Sequence, residues 1–539
     1  MPFPSLLLIF LLPIVSVPFV YFLAKKNAKF AGLLVALVAV ANIGLLASTI
    51  PTIVGGSVYM ESYAWIPVLN SHFSLFADGV SVSIATIALV LIVAASLFSI
   101  RYMEGKKNLP VYYSLLALTS VGLVGVFITS NFLLFYFCWE LMLVPAYFII
   151  GGWGYRDSYK AAFKLFIFTH AGAVFVLLGI GLIYITTGTT DMFTAQTALM
   201  APGVAEIAKW ILLAFTAGFA VKMAIVPVHM WLPDAHAEAP SPMSALLSGV
   251  IISAGAYAIL RLALCTVLPA VALNDISFAT NFLHGLTVFG VISAFFGAFI
   301  AIVETDIKRI IAYSSIAHMG YVLFGLSLFP AATALALAQT ASAAAAGQAQ
   351  AQALVLTGIV VASGAILGTV LHIVNHAVSK GLFFLSAGSV MHQTEERDIR
   401  KMGGLAGKMP YTAVSTIVAA LSIAGSPPFA CFWSEFFIFV GAFALIKDDF
   451  FYLIPTIFML LATVLSLAYS LRFVNKVFLG QPKTEEASVS SESSEAGQKK
   501  IFDVPNSMKI ALGILVVFVV VLGVYPAFFI NLIKGIALI

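Results

Sequence analysis

The chain has 539 residues, of which 61% are hydrophobic and only 9% are charged. Soluble domains are typically about 25% charged, so a chain this apolar cannot cover itself with polar surface and must have lipid as its solvent. The net charge of +4 is too small to indicate a nucleic-acid partner, and the cysteines Cys138, Cys265 and Cys431 have no spacing that suits a disulfide framework or a metal site.

Long hydrophobic runs recur along the chain and predict about fourteen transmembrane helices, at about 20 apolar residues for each span. We expect an all-α polytopic membrane protein. The run at 354–391 is too long for one straight span, so a bend or an interruption is expected there. The predicted parts are helices 1–3 in 1–110, helices 4–8 in 111–267, helices 9–13 in 282–475, a flexible inner loop in 476–508 and helix 14 in 509–539.

The loops between these runs differ in positive charge, and cytoplasmic loops carry an excess of Lys and Arg. The alternation predicts that both termini lie on the outer side of a prokaryotic plasma membrane. The Ser/Glu-rich stretch 481–500 is predicted to be solvated and flexible. The uncharged, Ala-rich stretch 331–352 indicates no function.

A few charged residues lie inside the predicted spans, where each is costly unless it is paired or hydrated. Such residues mark an ion or proton path by default, and a structural ion pair is the alternative. Lys164 is close to an inner span end, so snorkelling of its side chain to the interface stays open. Arg261 stays protonated and is predicted to be a structural partner for a carboxylate or carbonyl. The others are Glu140, Lys222, Lys380 and Glu435.

Glu140 and Lys222 both lie at mid-span with apolar residues on either side. A carboxylate and an ammonium placed in this way can pair across two helices. When Glu140 swings away, the ammonium of Lys222 loses its partner and releases its proton more easily. The two residues therefore predict a switch for proton transfer.

His372, His376 and Lys380 follow one another at intervals of four residues, which puts them on one face of a helix. This polar stripe predicts a proton relay, because histidine titrates near neutral pH. Two histidines at this spacing can also bind a metal, but the sequence offers no third ligand nearby, so no metal site is predicted. His318 is either a further relay residue or a buried histidine with its hydrogen bonds satisfied.

Two spans are predicted to be broken. Pro227 interrupts helix 7 shortly after Lys222, and Pro427 with Pro428 interrupts helix 12 shortly before Glu435. Broken helices in corresponding positions of two halves are typical of transporters with inverted repeats. Spans 4–8 and 9–13 are therefore predicted to form two inverted five-helix repeats.

The segment VKMAIVPVHMWLPDAHAEAPSPMSALLSG at 221–249 resembles the antiporter-like subunits of respiratory complex I and its relatives, including Mrp-type antiporters. Similar segments lie at 137–145, 306–321 and 375–388. Within that family the chain is most similar to the M subunit, mitochondrial chain 4. That subunit has a glutamate in broken helix 12, where its sister subunits mostly have lysine, and this chain has Glu435 there.

The resemblance implies a non-catalytic, proton-translocating membrane subunit of a redox-driven complex. Glu140 would be the switching carboxylate, Lys222 the central proton carrier, His318 and His376 relays, and Glu435 the terminal residue. This chain would bind no cofactor itself; flavin and iron–sulfur clusters would be in partner subunits. Its direct partners would be lipid and L-, N- and K-like membrane subunits, with the peripheral redox arm as an indirect one.

Two alternatives stay open at the level of the sequence. One is a subunit of an Mrp-type sodium/proton antiporter, and the other is a subunit of a ferredoxin-linked hydrogenase or deazaflavin dehydrogenase complex. The transported ion, proton or sodium, is also open.

One position departs from the family pattern. Ser253 occupies the place in helix 8 where the family usually has a lysine, and a serine cannot carry that charge. A water chain or a neighbouring group could substitute for it. Alternatively, the central charge has moved to Lys380, a position where L-type and Mrp-type subunits have a lysine.

Overall fold

The computed structural model describes residues 5–55, 57–201, 203–329, 351–481 and 501–534. Within these ranges, 12 helices are long and apolar enough to cross a membrane. The predicted all-α polytopic membrane fold is therefore confirmed. The total of about fourteen spans stays a prediction, because the two remaining ones, helices 7 and 12, each consist of two shorter helices in this structure.

The N-terminal part contains an element that the sequence did not predict. A two-stranded antiparallel hairpin of β1 (Tyr59–Ile66) and β2 (Ser71–Ala77) connects the first membrane helices, with Asn70 in the left-handed region at its turn. Asp78 follows the hairpin and caps the next helix by accepting a hydrogen bond from the backbone N–H of Ser81 at 2.9 Å. The helices here are α1 (Ser5–Lys26), α2 (Ala28–Ala47), α3 (Ile50–Val54) and α4 (Gly79–Tyr102).

The first predicted repeat ends with a long helix that has no lipid-facing side. This helix, α11 (Ser241–Asn274), is buried along its membrane window and contains two π-helical stretches, Leu247–Ile251 and Ile259–Val267. The helices before it are α5 (Leu109–Ile128), α6 (Phe132–Trp153), α7 (Ser158–Thr187), α8 (Met192–Leu199), α9 (Ala205–Met223) and α10 (Leu232–Glu238).

The second part contains a helix of 44 residues, α14 (Ala351–Thr394), which runs without the interruption expected for 354–391. Apolar residues continue through that run and it contains no proline, so nothing in it stops the helix. The other helices are α12 (Ile276–Val303), α13 (Ile307–Ser327), α15 (Pro410–Ile423), α16 (Ala430–Leu445), α17 (Leu453–Val474), α18 (Asn506–Val524) and α19 (Ala527–Lys534).

The predicted loop features lie largely outside the described residues. This holds for 331–350 of the Ala-rich stretch and for 482–500 of the Ser/Glu-rich stretch. At the edges of the predicted inner loop 476–508, helical structure extends further than expected. A π-helical turn covers Asn475–Leu479, and α18 begins at Asn506.

The two helix breaks are built alike. α9 ends at Met223 and is followed by Ala224 in the left-handed conformation (φ 56°), and α15 ends at Ile423 shortly before Gly425 (φ 66°). Pro227 lies between α9 and α10, and Pro427 and Pro428 lie between α15 and α16, where residues without an N–H cannot continue a helix.

Polar side chains of neighbouring helices bond to the backbone at the breaks, which helps to satisfy backbone groups at membrane depth. Ser293 Oγ of α12 accepts a hydrogen bond from the backbone N–H of Val226 at 3.0 Å. Asn375 Nδ2 of α14 donates to the carbonyl oxygen of Ala430 at 2.6 Å. Both breaks are thus held by a polar side chain from an unbroken helix.

Candidate functional site

Glu140 on α6 contacts a residue that the sequence analysis did not select. Its Oε2 lies 3.5 Å from Nδ1 of His170 on α7, while its Oε1 has no hydrogen-bond partner among the described residues. The His170 side chain is half exposed. The predicted pairing of Glu140 with Lys222 is therefore not formed in this structure, because the carboxylate is turned toward α7.

Lys222 lies in the last turn of α9, just before the break. Its side chain is buried, and within the described part of the chain no hydrogen-bond acceptor contacts its Nζ. The Nζ lies 5.0 Å from the centroid of the Trp139 ring, next to Glu140 in sequence. An ammonium held against an aromatic face is stabilised by a cation–π contact, but it remains short of hydrogen bonds.

Near the start of α7, Lys164 forms an ion pair with Asp234 on α10, with Nζ 2.7 Å from Oδ2. Arg309 on α13 binds the other oxygen of the same carboxylate. All three side chains are about one-third exposed. Lys164 therefore forms a structural ion pair, which the sequence analysis kept as the alternative to a proton path. Asp234 connects α7, α10 and α13 through its two ion pairs.

Two buried titratable residues near this ion pair were missed as site residues. Lys308 at the start of α13 is fully buried and donates to the carbonyl oxygen of Ala239 at 2.5 Å. His236 is fully buried, stacks on Phe384, and has no hydrogen-bond partner on either ring nitrogen among the residues described. Both residues could have been selected from the sequence, because they lie in segments that carry the family resemblance. His236 is in 221–249 and Lys308 is in 306–321.

In the middle of α11, Ser253 is buried and donates a hydrogen bond to the carbonyl oxygen of Gly249 at 2.8 Å. The hydroxyl is thus satisfied within its own helix and supplies no charge. Further along α11, Arg261 forms a buried ion pair with Asp78, the cap of α4. Arg261 therefore pairs with a carboxylate, as predicted. That carboxylate, Asp78, is a buried residue that the sequence analysis missed.

The polar stripe of α14 is buried along its whole length. Lys380 Nζ donates to Ser314 Oγ and, at 3.3 Å, to the carbonyl oxygen of Ile311, both on α13. His376 has no hydrogen-bond partner within the described ranges, and its ring centroid lies 5.6 Å from that of His318.

His318 connects the stripe to two further helices. Its Nδ1 lies 3.2 Å from Nε2 of His372, and its Nε2 lies 3.1 Å from the hydroxyl of Tyr469 on α17. Nδ1 of His372 lies 3.0 Å from Oγ of Ser434 on α16. His318 is therefore hydrogen-bonded on both ring nitrogens, and it is also part of a continuous row of polar side chains.

Glu435 follows Ser434 on α16 and is buried, with 6% of its surface exposed. Its carboxylate lies against Gly425 in the helix break, since a Cβ added at that glycine would come within 2.4 Å of Oε2. It borders a recess of about 450 Å³ between α16 and α17, lined mainly by apolar residues such as Phe436 and Leu460. One oxygen of Glu435 also lies within 4.8 Å of a ring nitrogen of His318 and of His372.

Comparison with known proteins agrees with these observations. The family described as "NADH:quinone oxidoreductase/Mrp antiporter, TM" matches residues 129–344 and 349–465. The NADH-quinone oxidoreductase subunit M of Pseudomonas aeruginosa is 32% identical over 86% of this chain and 81% of its own length. The F(420)H(2) dehydrogenase subunit M of Methanosarcina mazei is 30% identical over 78% of this chain and 77% of its own length.

The solved structure of the Mrp complex from Dietzia sp. has a chain with the same fold. It superimposes with a TM-score of 0.79 at 20% identity and covers 99% of this chain and 97% of that one. At this identity the likeness concerns the fold alone. With the family match over most of the membrane helices and relatives at 30% identity or more, this chain belongs to the membrane-subunit family of the NADH:quinone oxidoreductases and Mrp antiporters.

Proposed function

We propose that this chain is the proton-translocating membrane subunit of a complex I-like oxidoreductase, in the position of subunit M. The observation that carries the proposal is the row of buried titratable side chains along α13, α14 and α16, in a chain that is 32% identical to such a subunit. Buried ionisable groups at membrane depth are expensive and are retained where they conduct ions. The chain is non-catalytic and acts by moving protons.

The first step is the switch at Glu140. In the described conformation its carboxylate is on the His170 side and Lys222 has no carboxylate partner. This arrangement corresponds to the state in which Glu140 has swung away and Lys222 releases its proton more easily. When Glu140 returns to Lys222, the ammonium form is stabilised again. His170 thus supplies the second position that such a switch needs.

Protons enter from the inner side at the level of Lys308 and His236. Both side chains are buried. Neither ring nitrogen of His236 has a hydrogen-bond partner among the described residues, so both are free to take part in proton transfer. Buried polar groups without protein partners are commonly hydrated, so a short water chain can link these residues.

Lys380 carries the central charge that Ser253 cannot supply. The Ser253 hydroxyl is bonded within its own helix, whereas Lys380 reaches across to α13 and binds only neutral oxygens there. An ammonium without a carboxylate partner holds its proton less strongly than a paired one. From Lys380 the proton passes along His376, His318 and His372.

Glu435 is the terminal residue of this row. It lies at the helix break and beside the recess between α16 and α17, so a proton on its carboxylate can leave the chain laterally toward a neighbouring subunit. We infer that L-, N- and K-like membrane subunits are the neighbours and that flavin and iron–sulfur clusters reside in other subunits. Both termini face the outer side of a prokaryotic plasma membrane.

The relatives also support a second candidate. The F(420)H(2) dehydrogenase subunit M is nearly as similar as the NADH-quinone subunit, so a deazaflavin-oxidising complex uses a closely related chain. The Mrp alternative has the fold in its favour but only 20% identity. A ferredoxin-linked hydrogenase would use the same membrane module.

Purification of the chain from its native membrane in mild detergent, followed by mass spectrometry, separates these candidates. Flavin and iron–sulfur subunits in the same particle are expected, and their identity names the electron donor. Copurification with small antiporter subunits alone would replace the proposal by sodium/proton exchange.

The proton-translocating role is tested with the purified complex in proteoliposomes. Glu140→Gln and Lys222→Ala are expected to lower proton uptake per electron by at least tenfold. The matched control is Lys447→Ala, which removes an exposed lysine from the loop after α16. Normal uptake in the first two variants, or an equal loss in the control, would contradict the role assigned to Glu140 and Lys222.

A further inference from the structure

The helices α13, α14 and α16 bring His318, His372 and Glu435 together in the middle of the protein. One ligand atom from each, an imidazole nitrogen or a carboxylate oxygen, lies within 4.8 Å of the other two, and all three side chains are buried. We propose that this trio is an inhibitory binding site for a divalent transition-metal ion, with Zn²⁺ as the best fit. The inhibition rests on the proposed function, whereas the binding does not.

The sequence analysis predicted no metal site because His372 and His376 lacked a third ligand. In the structure, His372 faces a different histidine, His318 on α13, and Glu435 on α16 supplies the third ligand. Two imidazoles and one carboxylate form a common ligand set for zinc in sites that keep a fourth position open. Imidazole nitrogens also favour zinc over magnesium or calcium, which prefer oxygen ligands.

The hydrogen bonds around the trio allow two nitrogen lone pairs to face into it. Ser434 Oγ donates to the carbonyl oxygen of Cys431 at 2.8 Å, so it accepts from Nδ1–H of His372. His372 therefore points its Nε2 lone pair at His318. When His318 donates its Nε2–H to the Tyr469 hydroxyl, its Nδ1 lone pair points back across 3.2 Å. In this tautomer a metal ion can bind between the two nitrogens. In the other tautomer Nδ1–H of His318 donates to Nε2 of His372, and a metal ion displaces that proton.

The distances suit a tetrahedral zinc ion. With Zn–N bonds of about 2.0–2.1 Å, two ligands of a tetrahedral site lie roughly 3.3 Å apart. The two facing nitrogens are already 3.2 Å apart. Metal-bound histidines usually form a hydrogen bond through their other ring nitrogen, which orients the ring. Ser434 and Tyr469 are in position to form these hydrogen bonds.

Glu435 completes the site and provides access to it. No residue that the structure describes donates a hydrogen bond to its carboxylate, so an oxygen can turn toward the imidazoles without breaking one. The recess of about 450 Å³ beside Glu435 leaves room for a water molecule as the fourth ligand. An ion in this position would replace the relayed proton and fix both imidazoles, so proton transfer to Glu435 would stop.

Binding is tested on the full-length chain in detergent micelles, after removal of any histidine tag, with Co²⁺ as the probe. Four-coordinate Co²⁺ has intense visible d–d absorption, which reports the site directly. We expect one Co²⁺ per chain. His372→Gln and Glu435→Gln should each weaken binding by at least tenfold. His376→Gln, one helical turn further along α14, should bind Co²⁺ like the wild type.

Three results would overturn the site: no visible bands with the wild type, bands that persist unchanged in His372→Gln and Glu435→Gln, or equal loss in His376→Gln. Circular dichroism and size exclusion verify that each variant is folded. In the purified complex, Zn²⁺ is then expected to stop proton uptake, with recovery on addition of EDTA. Co²⁺ binding in a complex that pumps no ions would refute the proposed function and keep the site, and pumping without Co²⁺ binding would do the reverse.

Discussion

Removing one partner of the buried ion pair between Asp78 and Arg261 is expected to be strongly destabilising, and replacing Asp78 by Asn tests this. The two side chains are 1% and 5% exposed. Asp78 also caps α4 through Ser81, and Asn keeps an oxygen for that hydrogen bond while it removes the charge. The substitution therefore leaves a buried, uncompensated guanidinium on α11.

The expected loss in the free energy of unfolding differs among three variants. Breaking a buried pair from one side costs about 3–5 kcal/mol, so Asp78→Asn should lose that amount. Asp78→Ala should lose about 1 kcal/mol more, because the helix cap is removed as well. In the double variant Asp78→Asn with Arg261→Met, no unpaired charge remains, and most of the stability should return.

The free energy of unfolding can be measured by SDS titration of the full-length chain in mixed micelles, followed by circular dichroism. Wild-type stability of Asp78→Asn would refute the reasoning, and so would a double variant that is less stable than Asp78→Asn alone. Proton uptake by the double variant in the intact complex should stay near the wild-type value, because the pair has a structural role.

Three further changes test the proton path, each by proton uptake per electron in proteoliposomes. His170→Gln should slow uptake several-fold, since Glu140 loses its second position, and unchanged uptake would exclude His170 from the switch. Lys380→Ala should abolish uptake; if it leaves pumping intact while Lys222→Ala abolishes it, the central charge has not moved to Lys380. Gly425→Ala introduces a left-handed alanine at about 1–2 kcal/mol and displaces the neighbouring carboxylate by about 1 Å, which should slow uptake on the order of 10²-fold. The control Gly181→Ala, a helical glycine with open space at its Cβ, should pump normally.

The sequence was informative wherever a residue has a strong local effect. Proline cannot continue a helix, so the breaks near Pro227 and Pro427 could be located from the sequence. A charge inside an apolar run is costly, so Lys222, Lys380 and Glu435 could be selected without any structure. Arg261 could be assigned to a carboxylate partner because it keeps its proton, although the identity of that partner could not be predicted.

The partners could not be predicted because they depend on how helices face one another. Glu140 is equally compatible in sequence with Lys222 or His170, and helix packing decides which one it contacts. Asp78 and Lys308 lie at span ends, where a charged residue normally faces water, so their burial depends on the elements that cover them. The hairpin 59–77 was missed for a similar reason: it lies between two apolar runs, and its strands depend on pairing with each other.

The burial of α14 has a consequence for how the protein is made. A helix with two histidines and a lysine on one face enters lipid poorly on its own. It packs against α4 and α11, which leave the ribosome earlier, and against α15, α16 and α18, which leave it later. During synthesis α14 is therefore expected to pack against the completed N-terminal half, with one side uncovered until the last helices insert. A chain that stalls shortly after Thr394 would present this uncovered side to the insertion machinery and to quality-control proteases.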